Sequence, residues 1–176
     1  LGRPRFHDET LQQINATRGA AAAWTHAFAR FADDAVQQAA GRFCVLTFAD
    51  DGREALLATD RFGTWPICYA ARDGRLHFSD RADTVPGVER RVAPQAVFEY
   101  LFFHMIPAPT TIFEGIVRLP HGHLLKWRDG QAECRRWWNP QFDEHGSPDL
   151  EPSKARFLQI VEDGVRREAE GASVGC

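Results

Sequence analysis

Phe43-Cys44-Val45-Leu46-Thr47-Phe48-Ala49, Asp50-Asp51-Gly52 and Ala55-Leu56-Leu57-Ala58-Thr59 form the stretch on which the fold turns. From Arg42 the hydrophobic period is no longer helical, and the first run reads as a strand. The Asp-Asp-Gly step is a hairpin turn signal, and the second run returns as its partner. Two further short strands are expected at Ile67-Cys68-Tyr69-Ala70 and Leu76-His77-Phe78-Ser79, joined by Arg72-Asp73-Gly74-Arg75. Together these predict an antiparallel meander. The near-continuous apolar character of Phe43–Ala49 implies burial on both faces, with helices or a second sheet on each side.

Toward the N-terminus, Asp8 to Ala40 reads as helical. Ala20 to Ala23, Trp24, Ala27, Phe28, Phe31, Ala35 and Val36 recur at helical spacing, with a break at Asp33-Asp34. Gly41 is the expected stop, since glycine tolerates the left-handed turn that closes a helix. Toward the C-terminus, Pro94 to Phe103 reads as a helix with proline in its first turn, and Pro107-Ala108-Pro109 as a loop. Ile112 to Leu119 and His123 to Trp127 read as extended pieces. Arg128-Asp129-Gly130 is a further hairpin turn before Glu133 to Trp138. Asn139 to Pro152 is polar and rich in Pro and Gly, a linker composition. Ser153 is the expected cap of an amphipathic helix running to Ala169, with Phe157, Ile160, Val161 and Val165 on one face. The expected organisation is α+β, with a domain over 1–145, a linker over 146–152 and a second domain beginning at 153–176.

Composition excludes several classes. The 176 residues carry 21 Lys+Arg against 24 Asp+Glu, a net charge of -3, so there is no basic field for nucleic acid. No stretch approaches the roughly 20 apolar residues of a membrane helix. Leu1-Gly2-Arg3-Pro4-Arg5 is no signal peptide. The chain starts without Met and stops inside the apolar run Ala172-Ser173-Val174-Gly175-Cys176, so both ends are expected to be cuts. Cysteines at 44, 68, 134 and 176 show no zinc or redox spacing, which favours a reduced, cytoplasmic protein. Cys44 and Cys68 lie in apolar runs, where a thiol acts as a small hydrophobe.

Several motifs in series carry a family resemblance. Gly41-Arg42-Phe43 and Thr59-Asp60-Arg61-Phe62-Gly63-Thr64-Trp65-Pro66-Ile67-Cys68-Tyr69-Ala70 resemble the Gly-x-Phe-Ala strand and Asp-Arg-Phe-Gly-x-x-Pro-Leu-Tyr-Tyr segment of asparagine synthetases. Asp73 to Ser79 is similar to the strand that follows there. Ile106-Pro107-Ala108-Pro109-Thr110-Thr111-Ile112-Phe113-Glu114-Gly115-Ile116, Leu119-Pro120-His121-Gly122-His123 and Arg136-Trp137-Trp138 resemble further signatures, in the family's order. The resemblance implies an N-terminal class II glutamine amidotransferase domain with a four-layer αββα fold of the N-terminal-nucleophile type. It also implies a following ATP-dependent synthetase domain, with ATP and Mg²⁺ as the parent enzyme's cofactors. Ala172–Cys176 is similar to the strand before the family's Ser-Gly-Gly-x-Asp-Ser phosphate loop, and the reading frame is expected to continue into that loop. The loop itself is absent from this sequence, so no cofactor is expected in the present chain.

In the family an N-terminal Cys attacks glutamine, an Asn-Gly pair supplies oxyanion donors, and an Asp grips the substrate's amino group. The resemblance places Leu1 in the Asn position, Gly2 in the Gly position and Ala20, within Gly19–Ala23, in the Asp position. A degenerate glutaminase is expected, as in β-lactam synthetases and lasso-peptide cyclases, with no catalytic, cofactor-binding or metal residue in this chain. A non-catalytic scaffold or interaction module is the competing class. The expected partners are the chain's own missing synthetase domain, which the Ser153–Ala169 helix is built to meet, or a second copy in a homodimer; no nucleic acid or membrane is expected.

The other candidates read as architecture. Asp60-Arg61 is a structural corner at a strand end rather than an acid–base pair, with Gly63 taking the turn. His121 and His123 share the spacing of a metal pair, but the family has proline at the first position. Cys68 lies among core residues, with no acid or base nearby in sequence. Trp137-Trp138 reads as core and interface packing.

Overall fold

A computed structural model describes residues 1–49, 51–142 and 149–169. Asp50 of the hairpin turn, linker residues 143–148 and the terminal segment 170–176 lie outside the described residues. The chain divides into two compact units, Leu1–Asn139 and Pro140–Cys176.

The first unit is α+β with antiparallel sheets. β1 (Gly2–Phe6) is followed by α1 (Glu9–Arg18) and α2 (Ala20–Phe31), then a 3₁₀ segment over Ala32–Gln38. Asp8 caps α1, its carboxylate accepting from the Leu11 amide at 3.1 Å and from Arg30 at 3.0 Å. The Leu11 amide and then Arg30 hold the Asp8 carboxyl below its usual range. The strands β2 (Ala39–Phe48), β3 (Glu54–Thr59), β4 (Cys68–Arg72), β5 (Arg75–Ser79), β6 (Val117–Arg118), β7 (His123–Arg128) and β8 (Gln131–Arg136) follow, with α3 (Pro94–Phe103) between β5 and β6. A five-stranded sheet has the order β1-β2-β3-β7-β8, and a three-stranded sheet the order β5-β4-β6.

The hairpin of β2 and β3 is present, but the meander is not. β3 pairs with β7, Leu57 opposite Leu125, and β4 opens the second sheet. The helical region also differs. It breaks at Gly19 as well as at Ala32, and Gly41 does not end it but lies inside β2, opposite Pro4. A Cβ at Gly41 would stand 2.8 Å from the Arg3 carbonyl oxygen, so glycine is required by the approach of β1. Of Ile112–Leu119, only Val117–Arg118 is a strand.

Alternation along β2 gives the layers. Phe43 and Val45 face the helices, packing with Leu11, Trp24, Ala27, Leu56 and Leu124. Cys44 and Leu46 face the other way, against the cluster of Leu57, Ile67, Leu119 and Leu125 between the sheets. The small sheet's outer face is covered by Val85, Val88 and Ile116 from connecting segments. α3 buries only Ala96 and leaves Phe98, Tyr100, Leu101 and Phe102 exposed.

In the second unit, α4 (Leu150–Ala169) starts earlier than expected. Ser153 is not its cap: the Ser153 amide donates to the Asp149 carbonyl at 3.1 Å, which puts Ser153 within the first turn. Phe157, Ile160, Val161 and Val165 are all exposed on it. No described helix is long and apolar enough to cross a membrane.

Candidate functional site

Leu1, Gly2 and Ala20 come from two separate elements, and the fold brings them together. β1 runs antiparallel to β2 with Gly2 opposite Phe43, and the first turn of α2 lies over the same end of the sheet. All three residues line one pocket of about 360 Å³, together with Trp24, Thr25 and Cys44. Gly2 has φ 102°, and a Cβ there would stand 2.2 Å from the Arg42 carbonyl oxygen. Only glycine fits this approach of β1 to β2.

The lining has little chemistry. Among the described residues the remaining contributors are Pro4, Ala21, Val45, Leu46 and Thr47, none of which brings a carboxylate, imidazole, guanidinium or lysine side chain to the pocket. Among the described residues its one ionisable side chain is Cys44, half-buried, whose thiol pKa is pushed up by burial. A thiol so placed is held in its weakly nucleophilic protonated form. Cys44 reads in the sequence as a core hydrophobe; its place in the lining follows from the β1–β2 pairing, which continues past Gly2 to Leu1, whose carbonyl accepts from the Cys44 amide at 3.1 Å, and no local sequence signal marks it.

The other candidates fall elsewhere. Asp60 is buried, and its carboxylate accepts from the amides of Phe43 at 3.0 Å, Phe62 at 2.8 Å and Thr64 at 3.2 Å. Its carbonyl accepts from the Gly122 amide at 2.8 Å. Asp60 thereby ties the end of β3 to β2 and to the loop before β7, a structural corner. Arg61 lies over the Trp138 ring, 5.8 Å from its centroid. Cys68 is buried in the small-sheet core, and burial raises its thiol pKa too.

His121 and His123 border a separate cleft of about 1000 Å³ that also receives Phe62, Met105 and Arg118. The His123 ring engages the His121 carbonyl through Nδ1 at 2.8 Å. Among the described residues, no three His, Cys, Asp or Glu side chains are grouped so as to hold a metal ion. The two indoles divide. Trp137 stacks on Phe43 and donates from Nε1 to the Thr59 carbonyl at 3.2 Å, whereas Trp138 packs edge-on to Phe62.

Compared with known families, the chain matches the model for a glutamine amidotransferase domain over residues 9–138. No curated protein sequence matches the chain.

Proposed function

The chain belongs to the glutamine amidotransferase domain family, and from that membership we propose that it is a glutaminase-like domain that no longer hydrolyses glutamine, within an ATP-dependent amide-forming ligase resembling asparagine synthetases. The observation that carries this reading is the pocket shared by Leu1, Gly2 and Ala20. The resemblance places the oxyanion-donor and substrate-gripping positions at Leu1 and Ala20. Neither side chain can donate a hydrogen bond or hold an ammonium group. Losing one oxyanion donor typically costs about 10²–10³ in rate, and losing the carboxylate removes the ionic anchor for the substrate.

In this reading the domain keeps the αββα architecture of the N-terminal-nucleophile type as a scaffold for the synthetase half. The parent binds ATP and Mg²⁺ beyond the present chain and takes its amine from a source other than glutamine. β-Lactam-synthetase-like and lasso-peptide-cyclase-like parents fit the same vacancy, since each joins an internal or peptide amine. The test is a coupled glutamate assay at millimolar glutamine on the full-length protein. Glutamate release should equal the buffer blank. Release above the blank, in proportion to protein, would overturn the proposal and return the chain to the glutamine-dependent enzymes.

The boundary proposed from the sequence, with residues 1–145 folding as one domain, has its own test. Among the described residues the buried apolar clusters all lie within Leu1–Asn139, and α4 contains no buried residue. Each exposed apolar side chain on α4 forgoes roughly 1.5–3 kcal/mol of burial. Ending the chain at Gly146 should therefore leave the melting temperature unchanged and raise solubility. A marked fall in melting temperature would assign α4 to the N-terminal core.

A further inference from the structure

We propose that the outer edge of β8 is a self-association surface, on which a second copy of this chain lays its own β8 antiparallel across a two-fold axis at Cys134. β8 ends the five-stranded sheet, and all six of its residues are exposed. It contains no proline, glycine or bulge to spoil pairing.

The hydrogen-bonding parity of this edge is fixed. The Trp137 amide donates to the Gly122 carbonyl at 2.9 Å, and the β7–β8 register runs from His123 opposite Arg136 to Arg128 opposite Gln131. Narrow and wide pairs alternate along an antiparallel ladder. Gln131, Glu133 and Arg135 therefore turn their backbone groups toward β7, and Ala132, Cys134 and Arg136 turn theirs outward. None of these outward groups has a backbone partner among the described residues.

A two-fold axis normal to the sheet pairs residues that point to the same face, so it passes through a residue facing its own copy. At Cys134, Ala132 meets the partner's Arg136 and Cys134 meets the partner's Cys134, both as hydrogen-bonded pairs. Glu133 then faces the partner's Arg135, twice, in the pairs whose side chains approach most closely. Moving the axis to residue 133 sets Glu133 against the partner's Glu133. Moving it to residue 135 sets Arg135 against the partner's Arg135. Charge selects the register at Cys134.

The side chains are available for it. Glu133 makes no hydrogen bond or ion pair among the described residues. Arg135 shares Asp33 with Lys126, at 3.3 and 2.9 Å, and its other guanidinium donors have no partner among the described residues. Charges on an edge strand commonly block pairing. Here opposite signs two residues apart make the edge complementary to itself.

The test is sedimentation equilibrium of the full chain from micromolar to hundreds of micromolar, a range suited to an interface below standard size. The mass should rise with concentration toward twice that of one chain. Glu133→Arg and Arg135→Glu should each raise Kd about tenfold or more, as two attractive cross-strand pairs become repulsive. The double variant should return Kd to within about threefold of wild type, since it restores the same pairs. If Arg135→Glu unfolds the chain by loading charge on Asp33, Glu133→Arg still decides the matter. In a Cys176→Ser background, a short bismaleimide should cross-link the dimer, and Cys134→Ser should abolish the product. A wild-type chain that stays monomeric throughout the range would overturn the proposal. So would a dimer indifferent to Glu133→Arg, or a cross-link that survives Cys134→Ser.

Discussion

Replacing Asp60 with alanine should lower the folding stability of this protein by about 3–5 kcal/mol, more than most single surface or helix changes. Asp60 is 1% exposed, and its carboxylate receives amides from three places in the sequence: Phe43 on β2, and Phe62 and Thr64 on the loop after β3. Hydrogen bonds to a charged acceptor contribute roughly 1.5–3 kcal/mol, and each buried donor left unpaired costs about 1–3 kcal/mol. Alanine removes all three bonds at once. The sum is tempered because the Phe62 and Thr64 amides are only partly buried and water can reach them. Asp60→Asn should fall between wild type and alanine, since its amide keeps one acceptor oxygen but turns an NH₂ toward other donors. Urea unfolding gives the measurement. An alanine variant with an unchanged midpoint would show that the corner holds without the carboxylate and would reopen a catalytic role for Asp60.

Asp60 also shows what could be read from the sequence. An Asp at a strand end, with Gly63 three residues on and Pro66 beyond it, is a local turn pattern, and its function as a corner followed from that pattern. α3 was legible to its ends for the same reason: Pro94 fixes the first turn, and Pro107 lies just beyond the last. The break at Gly19 and the start of α4 at Leu150, ahead of Ser153, are local misreadings; the larger failures are tertiary. β1 was not foreseen, because Gly2-Arg3-Pro4-Arg5-Phe6 alternates charge with proline and becomes a strand only against β2. Gly41 has the local signature of a helix stop, yet glycine is needed there because the Arg3 carbonyl approaches from a distant segment. The pairing of β3 with β7 joins Leu57 to Leu125 across an intervening sheet and helix, and no local period encodes that. The candidate pocket stands between these cases. The positions of Leu1 and Ala20 followed from counting along the family resemblance, while the presence of Cys44 beside them required the β1–β2 register.

Phe43 is where these local and distant contacts meet, and Phe43→Ala should cost about 3–5 kcal/mol, the range for truncating a buried aromatic. The side chain is fully buried, with its ring 5.0 Å from that of Trp24 and 6.3 Å from that of Trp137. Trp24 comes from α2 and Trp137 from the segment after β8, so one ring joins the helix layer, the large sheet and the end of the first unit. Its backbone amide is also one of the three bound by Asp60, which places the two predictions on neighbouring parts of the same corner. Truncation leaves a cavity between two indoles too large to close around it, and the lost aromatic contacts add to the lost burial. Phe43→Leu should cost less than alanine, because it fills most of the volume while forfeiting the ring contacts. Trp24 lines the pocket shared by Leu1 and Ala20, so the alanine cavity opens toward that pocket and should admit water to the indole. Tryptophan emission of the folded variant should shift to longer wavelength, and its denaturation midpoint should fall together with that shift. An unshifted spectrum with a midpoint near that of wild type would mean that the helix layer packs on the sheet without Phe43, and that the corner, not the aromatic stack, holds the two together.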